Sequence, residues 1–387
     1  MTDRKQLALS HRTWVEVDLS AIRHNGKIVR ECFPQQKILS VLKADAYGHG
    51  ITGVLPAYET FTDWYAAATV EEAMEIRAGS QKPILLFGPA PREKMLLAAE
   101  QNITFTVGSL SYARCLSCAL EGTGLKAQCH LAVETGLNRE GVRWRDKETA
   151  MEQIRGIYAC ENLIFTGCYT HFSCGEGELP WELAFTRQQF DRYQGALTAI
   201  REAGYPVGIR HCCSTGGSLV HPEYRLDMVR LGMMPMGMSY CDESVRQLGL
   251  IPALSWYSSI SQIEQVQAGD GISYSCTFRA ERDMRVGIVT CGYADGYRRV
   301  YSNKTSVLVN GKKVRALGRV AMDCMVIDLT DTEASEGDIV TILGTDGNHS
   351  VTAWELSQIG ESVCGEVTCV ISKRVPRIYI QEEKTHV

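Results

Sequence analysis

No run of about 18 apolar residues occurs in the chain, so no segment has the length and hydropathy of a membrane-spanning helix. An excess of basic charge is missing too: 40 Lys and Arg stand against 45 Asp and Glu, for a net charge of -5. That balance gives no electrostatic reason to bind nucleic acid or an anionic membrane surface. There is no internal repeat and no low-complexity linker. With 45% hydrophobic and 22% charged residues, the 387-residue chain has the composition of ordinary globular domains. Disorder, collagen-like repeats and fibrous structure are thereby excluded, and the length suggests two or three domains. The opening MTDRKQLALSHRTW lacks the apolar core of a signal peptide, so a cytoplasmic location is expected.

Cysteine is not scarce, but paired cysteine motifs are. The 15 cysteines are odd in number and scattered. Without a secretion signal they read as reduced thiols rather than a disulfide framework. Cys115 and Cys118 form one CxxC inside SLSYARCLSCALEG, which reads as helix, and no second pair follows. No metal site is expected. Cys212-Cys213 reads as buried strand, where cysteine acts as a small hydrophobe.

What is there is a rhythm. Eight short apolar runs occur between residues 35 and 235: KILSVL, WYAAAT, ILLFG, ITFTV, AQCHLAV, LIFTGCYTHF, VGIRHCC and LDMVRLGM. Helix-like stretches such as VEEAMEIRAG and LAFTRQQFDRYQGALTAIREAG separate most of them. Continuous apolar strands alternating with helices imply a parallel sheet covered on both faces. Eight units predict a closed (β/α)8 barrel, with an open doubly wound sheet as the alternative. After about residue 245 the texture becomes β-rich, with period-two stretches and the turn signals AGDG, VNGKK, EGD and TDGN. Asn310-Gly311 predicts a hairpin, and Thr352 a helix cap. The chain is therefore expected to be α/β: a barrel over 1–245, followed by an all-β domain over 246–387.

Function in such a barrel sits at the C-terminal ends of the strands. The first run ends in SVLKADAYGHG, where Lys43 precedes a loop containing Gly48 and Gly50. Two readings are open. Lys43 is a strand-end lysine reaching for solvent, or it is an amine whose neutral form is favoured by desolvation, as a Schiff-base lysine requires.

The run Val41–Gly50 closely resembles the pyridoxal-phosphate attachment motif of alanine racemases. The resemblance extends along nearly the whole chain, through HLAVETGLNREGV (130–142), YTHF (169–172), MVRLGMMPMG (228–237), CGYADGYRRVYSN (291–303), LGRVAMD (317–323) and RVPRI (374–378). Seven motifs in order across both expected domains make it specific. The family architecture it implies is a barrel followed by a β domain.

The resemblance also implies roles. Lys43 would carry pyridoxal phosphate and act as base on one face of the substrate, and Tyr274 as base on the other. Racemisation needs both, because one group removes the α-proton and the other returns a proton from the opposite side. Arg230 would bond the pyridine nitrogen, support Tyr274 together with His171, and leave the ring nitrogen unprotonated. Arg139 would bond the cofactor's phenolic oxygen. Tyr47, Ser214, Thr215, Gly232 and Met233 would surround the phosphate, and Met322 and Tyr293 would bound the substrate entrance. Family members are homodimers in which the tyrosine domain of one subunit covers the lysine site of the other.

The chain departs from the family pattern at several positions. Ser275-Cys276 follows the tyrosine where Gly is usual. Ala132 stands where a lysine, commonly carbamylated, orients the arginine, so Glu134 or a bound anion is expected to hold Arg139 instead. Asn138 occupies a frequent Gly position, Ser214-Thr215 replaces Asn-Ser, and Ala321 replaces a frequent Cys. Lys373 stands near the cofactor phosphate and substrate side chain, where many members carry tyrosine. The expectation is a homodimeric racemase acting on alanine. The alternatives are a racemase for serine or a broader set of amino acids, a non-catalytic pyridoxal-phosphate protein, and a decarboxylase, for which the required C-terminal motifs are missing.

Overall fold

The computed structural model describes residues 4–239, 243 and 247–381. The expected domain boundary, between residues 245 and 246, lies outside the described residues. The chain forms two compact units: Gly26–Ala46 with Tyr58–Met234 make one, and the residues up to Asn25, Tyr47–Ala57 and those from Pro235 onward make the other.

The first unit is the predicted barrel. Its strands are β1 (Lys37–Val41), β2 (Trp64–Ala67), β3 (Ile84–Leu86), β4 (Ile103–Val107), β5 (Ala127–Glu134), β6 (Leu163–Tyr169), β7 (Ile209–His211) and β8 (Met228–Leu231). Seven fall within one of the eight apolar runs, and β5 runs one residue past its own, to Glu134. They form a parallel path in the order β8-β1-β2-β3-β4-β5-β6-β7. The path closes on itself, because Arg230 N–H donates to Cys213 O and Asp227 N–H to Arg210 O, both at 3.1 Å. The open doubly wound alternative is therefore excluded. Every residue of β2, β4 and β8 is buried, as a sheet covered on both faces requires.

The helices between strands start where their sequences place a cap. Ser109 Oγ accepts from Tyr112 N–H at the head of helix Leu110–Ala119, and Asp146 from Thr149 N–H at the head of Lys147–Tyr158. Thr69 and Glu72 make a reciprocal capping box at the head of Val70–Gly79. Cys115 and Cys118 lie on the helix read from the sequence. Cys212 and Cys213 are fully buried, directly after β7 rather than within it. All 14 cysteines among the described residues are free thiols.

The second unit is built on a nine-stranded sheet. Strand Ile339–Asp346 pairs with both Ser306–Val309 and Leu254–Val266, which closes part of the sheet into a ring. The Asn310-Gly311 hairpin forms as predicted. Val309 faces Lys312, and the two loop residues take φ 49° and 75°, the left-handed values of a type I′ turn. Thr352 caps helix Ala353–Ile359 by accepting from Glu355 N–H. The strand Thr13–Asp18 also belongs to this sheet, antiparallel to Leu254–Val266 and parallel to Arg377–Ile380. Burial of Trp14 and Trp256 anchors it, and Trp256 Nε1–H donates to Thr13 Oγ1 at 2.7 Å.

Candidate active site

Lys43 is the second residue past β1, at the C-terminal rim of the barrel, and it is exposed in the single chain. The backbone after it is unusual. Ala44, Asp45 and Ala46 have φ/ψ near 54°/50°, and Tyr47 has φ 52°. Four consecutive non-glycine residues thus wind in the left-handed sense. Such a conformation costs roughly 1–2 kcal/mol per residue and rarely runs past a single position. The glycines that follow are obligatory for a second reason. A Cβ on Gly48 (φ 81°) would strike Thr368 O, and one on Gly50 (φ 87°) would strike the Tyr379 hydroxyl.

Arg230, on β8, is almost completely buried. Its Nη2 shares two N–H groups among Thr170 O at 3.0 Å, Cys212 O at 2.8 Å and His171 Nδ1 at 2.8 Å, and Nη1 donates to His211 Nδ1 at 3.1 Å. Because a guanidinium only donates, both histidines must offer a lone pair at Nδ1 and carry their proton on Nε2. His211 Nε2–H then donates to His130 Nδ1 at 2.9 Å. Burial holds His171 well below the ordinary histidine pKa, helped by the Arg230, Arg139 and Lys43 cations. His211 is held down the same way by burial, then Arg230 and His130, and His130 falls to about 3 through burial. The result is one buried cation surrounded by neutral imidazoles and carbonyl oxygens.

His130 and His211 were not singled out from the sequence. They sit on β5 and β7, where aliphatic residues normally fill a barrel. Here Trp64, His130, His211 and Tyr169 form a chain of ring contacts with neighbouring centroids 4.9–5.2 Å apart, the last pair stacked and the others tilted. Gly167 makes room for it, since a Cβ there would lie 2.5 Å from His130 Nε2. The signal was present: a histidine inside each of two otherwise apolar strands.

Ser214 and Thr215 open the short helix Thr215–Val220, whose first-turn N–H groups have no partner within the helix. Gly232 N–H donates to Thr215 Oγ1 at 3.3 Å, so the segments after β7 and β8, carrying Ser214, Thr215, Gly232 and Met233, converge. Arg139 lies on the loop after β5. Glu134 does reach it, but through the backbone: its carboxylate accepts from the N–H groups of Gly136 and of Arg139, the latter at 3.1 Å. The Arg139 guanidinium instead lies 3.5 Å from Glu140. Asn138 takes φ 59°, which accounts for glycine being frequent at this position.

The other expected residues lie in the second unit, on loops bound to one another. Tyr293 N–H donates to Ala321 O and Ala294 N–H to Met322 O, each at 3.0 Å. Ser273 Oγ donates to Arg319 O at 2.6 Å. Tyr274, Tyr293 and Met322 are 64%, 42% and 52% exposed on this cluster. The turn around Tyr274 is strained: Ser273, Ser275 and Cys276 have φ 60°, 59° and 45°. Lys373 is exposed beside Ser372, whose N–H donates to Asp295 O, and Arg374, which pairs with Asp295 at 2.7 Å and Asp323 at 2.8 Å. Tyr47 is half-buried at the end of the left-handed turn.

Comparison with known proteins gives one answer along the chain. Residues 17–240 match the family described as "Alanine racemase, N-terminal domain", and residues 253–379 match "Alanine racemase, C-terminal domain". An alanine racemase of Methanococcus maripaludis is 35% identical over 378 residues, covering 96% of this chain and 100% of that protein. The crystal structure of alanine racemase from D-cycloserine-producing Streptomyces lavendulae superposes with a TM-score of 0.88 at 33% identity, over 95% of this chain and 97% of that one. The alanine racemase of Bacillus anthracis with bound L-Ala-P gives 0.89 at 31% identity, over 97% and 96%.

Proposed function

The chain belongs to the alanine racemase family, and on that premise we propose that it interconverts L- and D-alanine with pyridoxal 5′-phosphate as cofactor. Members of the family are racemases, and so isomerases. In this reading Lys43 works on one face of the substrate and Tyr274 of the partner subunit on the other, in a homodimer with shared sites. The observation that supports it most is the adjacency of β8 and β1, with Leu231 opposite Ser40. Arg230 and Lys43 rise from the same end of neighbouring strands, and Arg230 is already locked in place. The modules 1–245 and 246–387 and a cytoplasmic location belong to the same proposal. Among the described residues no helix is long and apolar enough to cross a membrane.

The donors of the barrel suit this cofactor. When bound, pyridoxal phosphate supplies an electron sink for the bond broken at the substrate α-carbon. Arg230 Nε takes no part in the four bonds that fix its Nη atoms, so it is left to serve a ring nitrogen. Its proton stays on the guanidinium, which limits the sink and disfavours transamination. The first-turn N–H groups at Ser214 and Thr215, the backbone at Gly232 and Met233, and Tyr47 take the phosphate. Arg139 takes the phenolic oxygen. Lys43 and Tyr274 hold and move the α-proton. A phenol with a pKa near ~10 needs cationic or donor support to accept one; Arg230 supplies the charge, and the neutral His171 bonded to it supplies a donor. Met322 and Tyr293 narrow the entrance.

The test is a panel of L-amino acids incubated with purified protein, with chiral detection of the products. D-alanine is expected as the main product. Absence of any enantiomer from yellow, cofactor-loaded protein overturns the reading in favour of a non-catalytic carrier.

Substrate range is expected to depend on Lys373. Its exposed ammonium offers up to three donors where a phenol offers one, and donors favour a substrate hydroxyl. Lys373→Tyr should raise the ratio of kcat/KM for alanine over serine by roughly tenfold, equivalent to about 1.4 kcal/mol of discrimination. An unchanged ratio with unchanged cofactor binding removes Lys373 from the site.

A further inference from the structure

We propose that Glu72 is a positioning residue for Lys43, an inference that rests on the reading of Lys43 given above. Glu72 lies in the first turn of helix Val70–Gly79, and its two carboxylate oxygens face different segments. Oε2 accepts from Ala68 N–H at 2.9 Å and Thr69 N–H at 3.3 Å. Oε1 accepts from Ala44 N–H at 2.7 Å. The capping box requires only the bonds between Thr69 and Glu72. The bond to Ala44 does nothing for the helix.

What that bond holds is the peptide unit immediately after Lys43. Ala44 N–H opens the left-handed turn, and Ala46 N–H closes back on Leu42 O at 2.8 Å. Ala44, Asp45 and Ala46 lack the freedom of glycine and do not keep left-handed dihedrals on local preference. An anchor from outside the turn is needed. A carboxylate supplies a charge-assisted bond, shorter and stronger than one from a neutral acceptor. Because the same carboxylate is tied to the helix, the direction in which the Lys43 side chain leaves the rim is set by the rigid barrel rather than by a mobile loop.

A purely structural role as a cap predicts something different, and three variants separate the two. Thr69→Ala removes the cap's other partner and leaves the bond to Ala44. Glu72→Gln puts an amide group opposite one of the two sets of N–H donors. Glu72→Asp keeps the charge but draws the carboxylate back from both sets of donors, so it weakens the cap and the bond to Ala44 together. Each protein is loaded with pyridoxal phosphate. Retention is followed by visible absorbance, covalent attachment by borohydride labelling and peptide mapping, and stability by thermal melting.

The expected result is that Glu72→Gln, Glu72→Asp and Thr69→Ala, each with a weakened cap, melt alike and below the wild type. Both Glu72 variants nevertheless retain pyridoxal phosphate roughly tenfold more weakly than Thr69→Ala and label Lys43 more slowly. If retention simply follows melting temperature across the series, Glu72 is a cap and the inference falls, while a wild type labelled at Lys43 keeps the reading of the site. If Glu72→Gln does not fold, the comparison of Glu72→Asp with Thr69→Ala, which lose the cap alike, decides the matter. A wild-type label on another lysine removes the reading and this inference together.

Discussion

Lys43→Ala and Tyr274→Phe homodimers should each lose nearly all racemase activity, and mixing them should restore about a quarter of the wild-type rate. The fraction follows from symmetry: random exchange makes about half of the dimers mixed, and each mixed dimer holds one intact site and one doubly damaged site. Racemisation needs a proton donor and a proton acceptor on opposite faces, so loss of either base stops turnover. Lys43 belongs to the barrel unit and Tyr274 to the other. Tyr274 is 64% exposed in the single chain, on a turn with three left-handed non-glycine residues. An exposed aromatic held on a strained turn is a poor arrangement for an isolated subunit, and such strain concentrates at functional sites. Subunit exchange is confirmed with two differently tagged chains. Confirmed exchange without recovery of activity overturns the shared site. Ser275→Gly, which relaxes one strained position, should stabilise the protein without restoring activity to Tyr274→Phe.

Stability should fall steeply as the pH drops from about 6.5 to 5, well above the range in which carboxylates titrate. His130, His171 and His211 are all held below the ordinary histidine value by burial. The unfolded chain takes up protons at these residues below about pH 6.5, whereas the folded chain does not. The unfolded state then binds more protons, so the stability conferred by neutral burial is complete above that pH and is lost as the pH falls. For a histidine that stays neutral in the folded chain, the slope approaches about 1.4 kcal/mol per pH unit once the pH is well below 6.5. Carboxylates whose pKa is lowered by ion pairing, such as Asp63 and Asp227, act only at lower pH. Denaturant unfolding at pH 8, 7, 6 and 5 measures the slope. His211→Asn should reduce it and should also remove one of the acceptors of the Arg230 guanidinium. A flat profile between pH 7 and 5 overturns the neutral-histidine network.

Much of this protein is legible in its sequence. Apolar runs bounded by helix patterns placed all eight barrel strands, because a strand covered on both faces has no polar side to interrupt it. Asn310-Gly311 placed a hairpin because its turn demands two positive φ values. Motif order placed Lys43, Arg230 and His171, which the fold brings to one rim of the barrel. Other features were silent. The strand Thr13–Asp18 pairs with residues 237 or more positions away, and no local periodicity carries that information. His130 and His211 each stand inside an apolar run, and neither run shows that their rings meet across the barrel. Glu134 was expected at the Arg139 guanidinium but bonds its backbone instead, a choice made by the path of the loop and not by residue type.

The sequence by itself determined the barrel, the β-rich second half, and the identities of the chemical groups, since periodicity, turn chemistry and motif order are local properties of the chain. Only the tertiary structure decided which groups act on one another. Barrel closure set Arg230 within 3.1 Å of His211, and burial made both histidines around Arg230 neutral. The capping box of helix Val70–Gly79 was local, but its third bond, to the left-handed turn behind Lys43, needed β1 and β2 side by side. Hydrogen bonds between distant segments and the desolvation of buried charge depend on where the chain passes in space, and no window of sequence contains that.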